Sequence, residues 1–121
     1  AFPNRVPLIN SLNDVAKRHK TRWSQVTKIL EQLSVSLTIL NRRPDEVSGG
    51  ELQRISIARA LTVKPKILLA DEPTSRLDPV TQWETLAMLD NIATKEQIAI
   101  VLVTHDPHIA EKWADRTISL I

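Results

Sequence analysis

Residues 67–78 have the sequence ILLADEPTSRLD, and this stretch decides the fold. Four apolar residues run without interruption into two adjacent acids, Asp71 and Glu72. A short, continuous apolar run is typical of a strand buried on both faces, as in a parallel sheet covered by helices. Asp78 then precedes Pro79, which is the order of an N-cap residue and the first position of a helix. The stretch therefore predicts a buried strand, an acidic turn and a helix.

The segment that follows repeats this pattern. A second apolar run leads into Thr104, His105 and Asp106, and Asp106 precedes Pro107. The predicted elements are strands at 67–70, 98–103 and 116–121, with helices at 79–94 and 107–114. This order of strands and helices is typical of an α/β core with a parallel sheet. Because ligands bind at the carboxyl edge of such sheets, Asp71, Glu72 and His105 are candidate site residues.

The first half of the chain has helical periodicity. Residues 1–13 are rich in Pro, Asn and Ser and are predicted to form a loop, and Ser11 with Asp14 has the spacing of a capping box. Apolar residues then recur three and four positions apart, which predicts either one amphipathic helix or two helices that meet near Thr21. Residues 34–47 are predicted to be a loop.

A further helix is predicted to begin at Ser48, which with Glu51 repeats the capping-box spacing, and to end before Pro65. The first turn of this helix holds Gly49 and Gly50, the only two glycines among 121 residues. A helix N-terminus offers unpaired N–H groups and the positive end of the dipole, and residues without Cβ let an anion approach closely. The alternative is that Ser48 and Glu51 only cap the helix.

The composition is that of a globular protein. Hydrophobic residues make up 42% of the chain and charged residues 25%, which excludes a disordered chain. There is no cysteine, which excludes disulfides and thiolate chemistry. Residues 1–64 carry a net charge of +6 and residues 65–121 carry −4. The basic residues are scattered and no aromatic platform accompanies them, so we expect a solvated surface and no nucleic-acid partner.

Four segments, in order, resemble the motifs of ATP-binding cassette (ABC) ATPases. Residues 47–54, VSGGELQR, resemble the signature motif, and residues 67–75 resemble the Walker B motif. Residues 75–78 look like the D-loop, and residues 103–106 look like the H-loop. The Gly-Glu-Leu-Gln-Arg wording of the signature is most similar to importers of peptides and nickel.

The resemblance implies a P-loop NTPase-type, RecA-like α/β core with a parallel sheet, together with an ABC α-helical subdomain. Residues 1–64 would form the helical subdomain with the signature motif and the following helix, and residues 65–121 the C-terminal half of the ATPase core. The sequence has no Gly-x-x-x-x-Gly-Lys-Ser/Thr motif, so the P-loop half is absent. We therefore expect a C-terminal part of such a domain, inactive by itself.

The resemblance also implies roles for single residues. Glu72 would activate the hydrolytic water, His105 would contact the γ-phosphate, and Asp71 would hold Mg²⁺ directly or through water. In the signature motif, ATP held by an opposite subunit would be bound by Ser48, Gly49, Gly50 and Glu51. In the D-loop, Ser75 and Asp78 would couple the two sites of a dimer.

The implied function is that of an ATP-hydrolysing subunit of an ABC transporter, an importer of peptides or nickel. Its cofactors would be ATP and Mg²⁺, and its partners a second ATPase subunit in a head-to-tail dimer and transmembrane permease subunits. It would be peripheral, at the cytoplasmic face of the inner membrane. One alternative is the head of a DNA-repair or chromosome-organising ATPase, but residues 14–46 lack the heptads of its coiled-coil arms. Another is a non-catalytic interaction module.

Overall fold

The computed structural model describes residues 2–3 and 5–120 and shows an α/β arrangement. Two strands, β1 and β2, pair in parallel, with Ile67 opposite Ala99 and Asp71 opposite Val103. A helix connects them, which confirms the predicted parallel sheet with a helical crossover. The elements in chain order are α1 (Leu8–Arg18), α2 (Trp23–Gln32), α3 (Gly49–Thr62), β1 (Ile67–Asp71), α4 (Pro79–Glu96), β2 (Ala99–Val103) and α5 (Pro107–Lys112).

The N-terminal helices form a pair, which confirms the two-helix alternative. The prediction of a loop over 1–13 is wrong from Leu8 onward, and Ala1 and Asn4 lie outside the described residues. The reason is tertiary: Leu8 is fully buried, and its N–H donates to the carbonyl of Arg42 at 2.9 Å. The predicted capping box at Ser11 and Asp14 is also wrong, because both residues lie inside α1.

The segment 34–47 is not a plain loop, because it contains two short 3₁₀ helices, at Leu37–Asn41 and Pro44–Glu46. The start of α3 matches its prediction. The Ser48 Oγ atom accepts a hydrogen bond from the N–H of Glu51 at 3.1 Å, and Glu51 Oε1 accepts one from the N–H of Ser48 at 2.9 Å. Together they form a reciprocal capping box.

One cluster of buried apolar side chains joins the helices to the sheet. Helix α4 contributes Leu86, Leu89 and Ile92, and α5 contributes Ile109. The indole N–H of Trp113 donates to the carbonyl of Leu86 at 2.9 Å, so the end of α5 is tied to α4. The helices contribute further fully buried residues, Leu8, Leu12, Val26, Leu30 and Ile55.

The prediction that both strands are buried on two faces is wrong for this structure. Leu68 is buried on the inner face, whereas Ile67 and Leu69 are 66% and 69% exposed on the other. Val101 and Val103 share that open face, since they stand opposite Leu69 and Asp71. Among the described residues the core packs against one face of the sheet. A continuous apolar run shows that both faces of a strand can be buried, but it does not show that helices pack on both faces.

The predicted final strand at 116–121 does not form over residues 116–120, and Ile121 lies outside the described residues. Instead, the hydroxyl of Thr117 donates to the carbonyl of Ala110 at 3.0 Å, which holds this segment against α5. Ile118 and Leu120 remain exposed. Within residues 2–3 and 5–120, no helix is both long enough and apolar enough to cross a membrane.

Candidate functional site

Two candidate catalytic residues meet at the carboxyl edge of the sheet. Asp71 ends β1, and the N–H of Glu72 donates to the carbonyl of Val103 at 2.8 Å, which extends the ladder by one residue. The carboxylate atom Oε1 of Glu72 accepts a hydrogen bond from the N–H of His105 at 2.9 Å. The same oxygen lies 3.6 Å from Nε2 of the His105 ring. The structure therefore brings together the residues that were singled out at the ends of the two strands.

The backbone of Glu72 has a left-handed conformation, with φ of 48°. A non-glycine residue in this region costs about 1–3 kcal/mol, and such residues cluster at functional sites. The bonds at both ends of Glu72, from its N–H and to its carboxylate, oppose this cost. They also fix the direction of the carboxylate.

The two side chains differ in exposure. The His105 side chain is 97% exposed, whereas that of Glu72 is 31% exposed. A fixed, half-buried carboxylate is suited to accept a proton from water, and an exposed imidazole is suited to donate a hydrogen bond to a ligand.

The described residues, 2–3 and 5–120, contain no group of three or more His, Asp or Glu that could hold a metal by itself. Asp71, which is exposed at the end of β1, could supply one carboxylate. This donor set fits Mg²⁺, because Mg²⁺ keeps several waters and is bound by one or two carboxylates together with substrate phosphates.

The first turn of α3 is a second candidate binding element. The N–H groups of Glu51 and Leu52 are taken by the hydroxyl and the carbonyl of Ser48. The N–H groups of Gly49 and Gly50 are left without an acceptor inside the helix, as helix geometry requires. They are therefore the backbone donors of this turn that an anion could use.

The two glycines occupy different surroundings. A Cβ placed on Gly49 would meet no heavy atom of the described residues within 4 Å. A Cβ placed on Gly50 would come within 2.9 Å of the Cδ2 atom of Leu77, closer than real Cβ atoms come to a neighbour. Neither glycine has positive φ, so conformational freedom does not explain either position. In the direction of a Cβ, Gly49 faces open space among the described residues, whereas Gly50 faces Leu77.

The segment 72–78, which we call the acidic loop, connects β1 to α4. Its turn is held by hydrogen bonds from the N–H of Leu77 to the carbonyl of Thr74 at 3.1 Å and from the Gln82 amide to Thr74 Oγ1 at the same distance. Thr74 is 2% exposed. Sequence reasoning included Thr74 and Leu77 in the Walker B and D-loop segments but gave no role to either of them or to Gln82, because neither their spacing nor their charge marks them.

Asp78 caps α4, as its position before Pro79 predicted. Its Oδ1 atom accepts a hydrogen bond from the N–H of Thr81 at 2.9 Å, and its Oδ2 atom accepts one from the Thr81 hydroxyl at 2.8 Å. The backbone bond first, and then the hydroxyl bond, hold the pKa of Asp78 below its usual value. Asp106 caps α5 similarly, by accepting from the N–H of His108 at 2.9 Å. Ser75 lies in the acidic loop, with its N–H donating to the carbonyl of Glu72 at 3.3 Å.

Comparison with known proteins gives a consistent result. The sequence model of the family described as ABC transporter matches residues 2–75. The chain is 51% identical over 80 residues to the phosphonates import ATP-binding protein PhnC 2 of Haloarcula marismortui, covering 66% of this chain and 30% of that protein. It is 46% identical over 93 residues to the lipoprotein-releasing system ATP-binding protein LolD of Rickettsia felis, covering 77% and 42%. It is 38% identical over 120 residues to the glutamine transport ATP-binding protein GlnQ of Escherichia coli, covering 97% and 50%.

Solved structures agree with this assignment of the fold. The dimeric structure of MJ0796, a bacterial ABC transporter cassette, superposes with a TM-score of 0.71 at 31% identity, covering 87% of this chain and 50% of that one. An inward-facing putative metal-chelate type ABC transporter gives a TM-score of 0.76 at 26% identity, covering 91% and 48%. The chain spans between 14% and 42% of the length of four curated relatives that it matches.

Proposed function

The chain belongs to the ABC transporter family, as part of its ATPase domain, and from this premise we propose that it serves ATP hydrolysis that drives transport. The observation that carries the proposal is the pairing of Glu72 with His105 at the carboxyl edge of two parallel strands. A carboxylate and an imidazole at this edge fit a reaction in which water attacks a phosphoryl group.

In this proposal Glu72 is the catalytic base. Its carboxylate accepts the proton of the attacking water, and the N–H of His105 holds it in place. The exposed ring of His105 donates a hydrogen bond to an oxygen of the γ-phosphate. Asp71 would hold Mg²⁺, directly or through water, and the bound ion would neutralise phosphate charge. Phosphoryl transfer depends chiefly on such positioning and charge neutralisation.

The first turn of α3 with its N-cap, residues 48–51, which we call the signature turn, is proposed to bind the γ-phosphate of ATP held by a second ATPase subunit in a head-to-tail dimer. The Ser48 oxygen accepts from the N–H of Glu51, so its own O–H remains able to donate to a phosphate oxygen. The N–H groups of Gly49 and Gly50 point out of the helix end, where the dipole favours an anion. The carboxylate of Glu51 supports the site by holding this turn, since its negative charge is unsuited to phosphate.

The acidic loop is proposed to couple the two sites of the dimer through Ser75 and Asp78.

Residues 1–64 are proposed as the helical subdomain that docks onto the permease subunits, and residues 65–121 as the ATPase core half. The protein is proposed to be a peripheral subunit at the cytoplasmic face of the membrane. The finer proposal, an importer of peptides or nickel, rests on the wording of residues 50–54 alone. The relatives' names concern phosphonate import, lipoprotein release and glutamine transport.

The test compares two substitutions of the same chemistry in the whole protein. Glu72→Gln keeps the shape of the side chain and removes the base, so we expect ATP turnover to fall by about 10²–10⁴-fold while ATP binding persists. Glu84→Gln, at an exposed position on α4, is the matched control and should leave turnover unchanged. A Glu72→Gln variant that keeps more than about a tenth of the turnover contradicts the assignment of the base.

A further inference from the structure

The acidic loop lies against the signature turn where Leu77 approaches Gly50. The Cδ2 atom of Leu77 occupies the space that a Cβ on Gly50 would need, at 2.9 Å. We propose that Leu77 is a positioning residue that seats the acidic loop on the first turn of α3. Gly50 is then a glycine because of this packing, whereas Gly49 faces open space in the described part of the chain.

Both sides of the contact are held in place by other bonds. On the loop side, the N–H of Leu77 is bonded to Thr74, and the next residue, Asp78, caps α4 through Thr81. The backbone of Leu77 is therefore fixed on both sides, and its side chain is partly buried.

On the helix side, the reciprocal bonds of Ser48 and Glu51 fix the first turn of α3. A methyl group at Gly50 would thus force Leu77 into another rotamer or displace the loop. The Cδ2 atom is the far end of a flexible, partly buried side chain, so a new rotamer of Leu77 is the cheaper response, and it takes the side chain away from its seat on α3.

The contact links the two elements that the proposed function assigns to nucleotide. We assign the contact the role of making the acidic loop and the signature turn move as one body, and this role rests on the proposed function. The contact itself does not, because it follows from the positions of Leu77 and Gly50 alone. A displacement of the signature turn would be transmitted through Leu77 to the loop that begins at Glu72 and ends at Asp78.

The experiment is a double-mutant cycle on the 121-residue chain, read by thermal unfolding and by backbone amide NMR. Gly49→Ala is the matched control, and we expect it to raise Tm by about 2–4 °C, because alanine reduces the freedom of the unfolded chain without a clash. Gly50→Ala is expected to leave Tm within about 2 °C of its original value, because the strain on the Leu77 side chain offsets the gain that alanine brings at Gly49. It should also shift the amide resonances of residues 74–78.

In the Leu77→Ala background the clash is absent, so Gly50→Ala should raise Tm by the full gain of about 2–4 °C, as at Gly49. Leu77→Val combined with Gly50→Ala should return the loop resonances toward their original positions. The proposal would be overturned if the effects of Gly50→Ala and Leu77→Ala on Tm were simply additive. It would also be overturned if Gly50→Ala left the amide resonances of residues 74–78 unchanged. If Gly50→Ala prevents folding, two other measurements test the contact: the Tm of the double variants, and the amide shifts of residues 48–51 in Leu77→Ala. Unchanged amide resonances at residues 48–51 in Leu77→Ala would then contradict the proposal. No nucleotide is used, so failure here leaves the proposed ATPase function standing.

Discussion

Replacing Ser48 by alanine should destabilise the chain by an amount that the structure sets. The substitution removes the Oγ atom that accepts from the N–H of Glu51, but it keeps the backbone N–H that donates to the Glu51 carboxylate. One of the two capping-box bonds is lost, which at a helix N-cap costs about 1 kcal/mol, within a range of about 0.5–2 kcal/mol. An unfolding entropy of about 2.1 cal/mol/K per residue gives about 0.25 kcal/mol/K for a chain of 121 residues. Tm should therefore fall by about 4 °C.

The assay is thermal unfolding followed by far-ultraviolet circular dichroism, with Ser11→Ala as the matched control. Ser11 lies inside α1, where alanine favours the helix over serine by about 0.5 kcal/mol. The same substitution should thus raise Tm by about 2 °C at Ser11 and lower it at Ser48. Equal shifts of the same sign at both positions would refute the capping argument. Ser48→Asn, which preserves an N-cap acceptor, should stay close to the original Tm.

Three further outcomes are expected. Because the Thr81 bonds lower the folded pKa of Asp78, its contribution to stability is present at pH values above its unfolded pKa. That contribution is lost as the pH falls through the folded pKa, so Asp78→Asn should flatten the acid side of a plot of urea midpoint against pH; an unchanged acid side would contradict the role of this cap. Calorimetry on the 121-residue chain should detect no micromolar affinity for MgATP, since the Ser48 turn is proposed to serve a partner's nucleotide; a micromolar constant would contradict this. The exposed apolar face around Leu69 and Val101 should drive self-association, seen as concentration-dependent sedimentation that Leu69→Lys weakens; a monodisperse monomer at all concentrations would count against it.

Local signals predicted much of the fold. The N-caps at Ser48, Asp78 and Asp106 involve residues a few positions apart, and all three were predicted from spacing or from a following proline. The parallel pairing of β1 and β2 was predictable because two apolar runs are separated by one helix. The Glu72–His105 pair follows from that pairing, since both strands end at one edge.

Features that depend on long-range packing were not predictable. Helix α1 begins at Leu8 because Leu8 is buried and bonded to Arg42, which lies 34 positions away in the sequence. The uncovered face of the sheet depends on which helices pack, and an apolar run looks the same in either case. The different roles of Gly49 and Gly50 appear only when Leu77 is placed beside one of them. Sequence spacing treated the two glycines as equivalent.

The left-handed backbone of Glu72 affects how mutational surveys of this position should be interpreted. Valine, isoleucine and threonine resist positive φ, so they would lose function at position 72 even if the carboxylate were irrelevant. Glycine would be the best choice for the backbone and would still lack an acid. A saturation library at this codon therefore mixes selection for an acid with selection for a residue that tolerates positive φ. Glycine satisfies only the second requirement, and the β-branched residues satisfy neither. Glutamine and glycine both remove the acid and differ in how easily they adopt positive φ, so an equal loss of function with the two would assign the loss to the chemistry.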